Sequence, residues 1–264
     1  MNRRVINSII TKKINDWLKH IDGDIFRKAM TGNVIVTGGS IASMLLKEKV
    51  NDYDIYFRTM DACKAAAVYY TAFFPGVDYE ITDEGRVRVV IPSEGVKKRK
   101  PEEDKKYEPV YISDNAVTLT NKVQVIFRFY GEPDEIHKNY DFVHCTNYWD
   151  DQTKQVTLRP AALESLLAKQ LTYVGSKYPL CSIIRLRKFI KRGWHINAGQ
   201  MLKIMFQISE LDLSDVDTLK EQLVGVDTAY FDMLIEALKK KAEGDDDFKV
   251  TQPYVAEIVD RIFG

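Results

Sequence analysis

A short apolar run that ends in two glycines and a serine constrains this chain more than any other feature. Val34, Ile35 and Val36 are β-branched and lead into Thr37-Gly38-Gly39-Ser40, after which residues 41–47 have the character of a helix. The spacing predicts strand, tight turn, helix. Such a turn leaves backbone N–H groups free. Two glycines let a phosphate approach the backbone, Ser40 can cap the helix and offer its hydroxyl, and the positive helix end favours an anion. Further on, Asp52-Tyr53-Asp54-Ile55-Tyr56-Phe57 alternates as a strand does. That sets Asp52 and Asp54 on one face, about 6 to 7 Å apart along the strand. Two carboxylates so placed can share one or two Mg²⁺ ions, and the two features together predict a metal-dependent phosphate site.

The Gly39-Ser40 turn followed by Asp52-x-Asp54 resembles the signature of the nucleotidyltransferase superfamily, which includes DNA polymerase beta, the CCA-adding enzymes, poly(A) polymerases and antibiotic nucleotidyltransferases. The resemblance implies that Gly38, Gly39 and Ser40 hold the triphosphate of a nucleotide and that Asp52 and Asp54 bind Mg²⁺, or Mn²⁺ in its place. It implies an enzyme that transfers a nucleoside monophosphate from a nucleoside triphosphate to a hydroxyl acceptor and releases pyrophosphate. Relatives carry a third carboxylate on a later strand. Asp141, between Tyr140 and Phe142 in a run over 140–145 that reads as a strand, is the candidate for this third catalytic and metal-binding position. Gln124, in Val123-Gln124-Val125-Ile126, competes for it. A neutral amide binds Mg²⁺ poorly, so Gln124 in that place would leave two carboxylates.

The same resemblance, joined to the order of predicted elements, gives an α+β domain over residues 1–158 with a mixed or mostly antiparallel sheet and flanking helices, followed by a helical domain over 159–264. Residues 94–109 hold Lys97-Lys98-Arg99-Lys100 and then acidic residues, with no hydrophobic period. They are expected as a flexible, solvated insertion, the acidic half cancelling most of the basic half's attraction for RNA. Arg86 and Arg88 share a face of a predicted strand, either solvated or reaching a nucleotide phosphate.

Net charge gives no steering argument, because Lys plus Arg equals Asp plus Glu at 38 each. Locally the balance changes. Between Glu164 and Glu210 there is no acidic residue, while Lys169, Lys177, Arg185, Arg187, Lys188 and Arg192 fall inside the interval. On a helix starting near residue 180, Ile183, Leu186, Ile190 and Trp194 would form the core stripe, leaving Arg185 and Lys188 to meet a nucleotide or an RNA backbone. The expected acceptor is therefore an RNA 3′ end. A protein or small-molecule hydroxyl is the second choice, and a non-catalytic nucleotide- or RNA-binding module the third. Cys63, Cys145 and Cys181 lack paired or zinc-type spacing and read as reduced thiols of a cytoplasmic protein. No run of apolar residues is long enough for a membrane span.

Overall fold

The computed structural model describes residues 1–91, 96–102, 105–213 and the isolated positions 215, 218, 221, 222, 251, 253, 257 and 260. The chain divides into two compact units, Met1–Ala168 and Lys169–Gly264. The first opens with helices α1 (Arg3–Lys19) and α2 (Asp24–Met30), strand β1 (Val34–Thr37), helix α3 (Gly39–Leu46), strand β2 (Tyr53–Phe57) and helix α4 (Met60–Thr71). Strands β3 (Asp78–Ile81), β4 (Val87–Val90), β5 (Val96–Lys98), β6 (Pro109–Ser113), β7 (Ala116–Leu119) and β8 (Val123–Tyr130) follow. Helix α5 (Pro133–His137), strands β9 (Tyr148–Asp150) and β10 (Gln155–Thr157) and helix α6 (Pro160–Ala168) complete it.

Eight strands make one sheet in the order β10-β9-β1-β2-β8-β7-β6-β5, and β3 pairs with β4 as a separate hairpin. Only the β2–β8 pair of the large sheet is parallel, so the sheet is mixed, and the fold is α+β with flanking helices. Strand pleating sends alternate side chains to opposite faces. Val34, Val36, Tyr53, Ile55, Phe57, Val123, Val125 and Phe127 enter the main core, while Ile35 and Tyr56 enter a smaller cluster with Ile136.

Helix α1 covers the first face. Asn2 caps it, its side chain accepting from Val5 N at 3.0 Å, and Ile6, Ile10, Ile14 and Trp17 recur at helical spacing and are fully buried. Trp17 also donates its indole N–H to the Tyr70 hydroxyl of α4 at 2.8 Å, so the largest core side chain buries no unmet donor. Thr59 caps α4, and Ala62, Ala66 and Ala67 let that helix lie close to the sheet.

Two local expectations change. Within 94–109, Val96–Lys98 forms edge strand β5 against β6, and the Arg99 guanidinium pairs with Glu108 at 2.6 Å, so this stretch is not one solvated loop. The ladder is formed by backbone groups, which a search for hydrophobic period does not see. Residues 140–145 are not a strand: a turn leads into a short 3₁₀ helix over Val143–Cys145. The β-prone composition yields there to the path the chain takes in returning to the sheet. Arg88 and Arg86 are held by neighbouring glutamates, Glu80 at 3.4 Å and Glu84 at 3.2 Å.

In the second unit, α7 (Pro179–Lys191) and α8 (Ala198–Ser209) are described. Burial along α7 follows position rather than stripe. Leu180, Cys181, Ser182, Ile184 and Leu186 are buried, whereas Ile183 is 36% and Ile190 47% exposed. The core stripe expected through Ile183 and Ile190 is thus corrected: the helix packs through its first two turns. Most of the helical domain expected beyond residue 213 lies outside the described residues.

Candidate nucleotide site

Strand β1 delivers the glycine turn to the end of the sheet. Thr37, its last residue, is the register partner of Asp54 on antiparallel β2. The next residue, Gly38, caps α3 with φ 91° and ψ −153°, a backbone state that a side chain rarely adopts. A Cβ at Gly38 would stand 2.7 Å from Asp54 Oδ2 and 3.5 Å from the Tyr140 hydroxyl. The glycine is needed for both conformation and space. Turn and carboxylate therefore lie side by side. Gly39, one residue on, faces open space and is exposed.

The sequence suggested Ser40 as the helix cap, but Gly38 takes that position and supplies no side-chain hydrogen bond. No side chain therefore caps the first turn of α3, where backbone N–H groups lack helical acceptors. Ser40 lies inside the helix, 2% exposed, and its buried Oγ has no hydrogen-bond partner. A buried hydroxyl without a partner is costly, so a ligand oxygen reaching this turn would be favoured.

Asp52 and Asp54 differ in setting. Asp54 lies within β2 and is half-buried, whereas Asp52 precedes the strand and is exposed. Gln124 on β8 is the register partner of Asp54 across the parallel pair. Residues partnered in this way share a face, so the amide stands beside the carboxylate. Asp141 is 9% exposed, in the turn that follows Tyr140. Among the described residues, no three or more His, Cys, Asp or Glu side chains gather as a metal cluster. Arg185 is half-buried and Lys188 exposed, both on α7 of the second unit.

Beneath the turn lies a polar layer that the sequence did not announce. Thr37 Oγ1 is 2.8 Å from His137 Nε2, 3.0 Å from the Asn147 carbonyl and 3.3 Å from the Cys145 carbonyl, which also accepts from Gly38 N at 3.1 Å. Carbonyls only accept and the hydroxyl has one proton, so Thr37 donates to a carbonyl and His137 Nε2–H donates to Thr37. This fixes the neutral tautomer with Nδ1 bare, and Nδ1 is buried without a partner. Burial, helped by nearby Arg159 and opposed by Asp134, lowers the His137 pKa to about 4. The ring is therefore uncharged at neutral pH. Tyr140 packs edge-on against it at 5.1 Å, and burial, followed by Tyr56 and Asp54 nearby, raises its phenol well above the ordinary value. Neither His137 nor Thr37 carries a motif; only their meeting in space reveals them.

A mixed sheet flanked by helices thus sets the glycine–serine turn against the second aspartate of the Asp-x-Asp pair. The chain belongs to the Gabija anti-defense 2 family, whose model matches residues 8–169. A curated relative, "Gabija anti-defense 2" of Bacillus phage SPbetaL7, is 23% identical over 257 residues. That match covers 94% of this chain but 53% of the relative, so the chain spans about half the relative's length. Similar solved structures include a Thermotoga maritima CCA-adding enzyme complexed with tRNA, at 14% identity and a TM-score of 0.44 over 94% of this chain and 65% of that one. Another is a Bacillus stearothermophilus CCA-adding enzyme in complex with CTP, at 14% identity and a TM-score of 0.40 over 76% of this chain and 47% of that one. No helix among the described residues is long and apolar enough to cross a membrane.

Proposed function

We propose that the first unit binds a nucleoside triphosphate at Gly38, Gly39 and Ser40 and transfers its nucleoside monophosphate to a hydroxyl acceptor, releasing pyrophosphate. One observation carries the reading: the cap position of α3 lies so close to Asp54 that a Cβ there would stand 2.7 Å from Oδ2. Phosphate donors and carboxylate thus meet at one point, an unfavourable neighbourhood for a triphosphate unless a cation accompanies it. Mg²⁺ commonly uses one or two carboxylates and completes its shell with phosphate oxygens and water. Asp52 and Asp54 fit that donor set, and the unpartnered Ser40 hydroxyl suits a phosphate oxygen. When bound, the ion offsets charge on the triphosphate and lowers the acceptor hydroxyl's pKa. Asp54 anchors the site from a rigid strand. His137 and Thr37, below it, hold the turn's backbone in place.

For the third position we propose Asp141, with Gln124 as the competitor favoured by its place beside Asp54. Turnover of Asp141→Asn and Gln124→Ala decides between them. A loss of at least about a hundredfold in the first and less than about tenfold in the second supports Asp141, and the opposite ranking moves the role to β8.

The first acceptor proposed is an RNA 3′ end, supported by the exposed cations Arg187, Lys188, Lys191 and Arg192 on and just after α7, with Arg185 half-buried among them. The phage relative's name favours a second acceptor, a protein of the Gabija defence. Each labelled nucleoside triphosphate is incubated with the protein, Mg²⁺, cellular RNA and an extract containing that defence. Label in RNA supports the first acceptor and label in a protein band the second. If neither is labelled while equilibrium dialysis shows nucleotide bound at the Gly38 turn, the domain is a binding module and the transfer reading fails.

A further inference from the structure

A polar groove of about 720 Å³ runs along the outward side of α1. The inward side of that helix packs in the core with Val34, Val36 and Ile55, so the groove lies across the sheet from the face that carries Asp54. Two of the helix's cations serve the fold: Arg3 Nε donates to the Val156 carbonyl at 2.7 Å, and Lys13 Nζ to the Asn121 carbonyl at 2.8 Å. Arg4, Lys12 and Lys19 instead line the groove, are exposed, and form no ion pair with a described residue. Lys106 joins them from the segment before β6. Among the described residues the one carboxylate in the lining is Asp16, which accepts from the Tyr107 hydroxyl at 3.0 Å and lies 4.0 Å from Lys106.

We infer that this groove binds the sugar–phosphate backbone of a single-stranded nucleic acid. The helix rises about 1.5 Å per residue, so Arg4, Ser8, Lys12, Asn15 and Lys19 present a donor roughly every 4.5 to 6 Å along one line. Successive phosphates of an extended strand recur at a similar interval. Between the cations stand Asn7, Ser8, Thr11 and Asn15, whose amides and hydroxyls both donate and accept, as contacts to phosphate and sugar require. Among the described residues no apolar or aromatic side chain lines the groove, which disfavours a protein partner, since protein interfaces rest on such anchors, and confines contact with a strand to its backbone rather than its bases. A concave channel beside a half-embedded helix suits one strand, whereas reading the base edges of a duplex takes a helix or β-ribbon that projects into its groove. The site is independent of nucleotide transfer, whose residues lie on the other face.

The test is fluorescence anisotropy with labelled oligo(dT) and oligo(U) of about a dozen nucleotides, across a series of salt concentrations. The parent protein is compared with the triple variant Arg4→Gln, Lys12→Gln, Lys19→Gln and, as a control for the basic helix of the second unit, with Arg185→Glu, Lys188→Glu, Arg192→Glu. The α1 variant is expected to weaken binding at least about tenfold and to reduce the log–log salt slope by about 2, at roughly 0.7 per lost phosphate contact. The α7 variant keeps that share. If circular dichroism shows the triple variant unfolded, Lys12→Gln alone is used, with an expected slope change of about 0.7. Equal affinity and slope in parent and α1 variant overturn the inference, as does a parent that binds neither oligonucleotide at low salt. Competition by polyglutamate as effective as by oligonucleotide overturns it in favour of an acidic protein.

Discussion

On one face of the large sheet, Val34, Val36, Ile55, Val123 and Val125 meet Ile6, Ile10, Ile14 and Trp17 of α1 and the small residues of α4 in a continuous apolar core. On the other, the same strands present Thr37, Asp54 and Gln124, backed by His137 and Tyr140, with buried polar atoms that lack partners. The first face gains from every contact it makes. The second leaves hydrogen-bonding capacity unused, which costs stability and persists only where the surrounding structure holds it. The apolar face offsets that cost.

The apolar face carries the larger share of stability. Trp17→Ala removes a fully buried indole and leaves Tyr70 without its donor, so urea unfolding should show a loss of about 3 to 5 kcal/mol. A loss below about 1 kcal/mol would mean that α1 is dispensable to the core. On the polar side Asp54→Asn keeps shape and removes charge. Transfer should fall about 10²- to 10³-fold, while the urea midpoint moves little or rises. Full activity in that variant, or in excess EDTA, removes Asp54 from the chemistry.

Acid sharpens the contrast. The His137 pKa is lowered in the folded state to about 4, from an ordinary value near 6.5, so between these limits the unfolded chain binds more protons. Stability from the neutral ring is therefore fully present above about pH 6.5 and is lost as pH falls toward 4, amounting to on the order of 3 kcal/mol. His137→Gln should flatten that part of the pH–stability curve, and an unchanged slope would mean that another group titrates. A smaller effect is expected of Gly38→Ala. Its φ of 91° and its closeness to Asp54 predict a loss of about 1 to 3 kcal/mol, together with weaker nucleotide binding. Gly39→Ala, whose Cβ meets no protein atom within 4 Å, should change stability by no more than about 0.5 kcal/mol.

The sequence by itself determined the elements that local pattern encodes. The β-branched run into Gly38-Gly39 stated strand and turn, and alternation after Asp52 stated β2, because each signal lies within one or two turns of chain. It also raised both candidates for the third position. Tertiary structure decided what depends on residues distant in the chain. Parallel pairing set Gln124 beside Asp54. Return of the chain after α5 brought His137 to Thr37 and the Cys145 carbonyl to Gly38. The cap passed from Ser40 to Gly38, and β5 formed where no period marked it. Backbone pairing and buried polar contacts carry no period of their own, so they become visible only when distant segments meet.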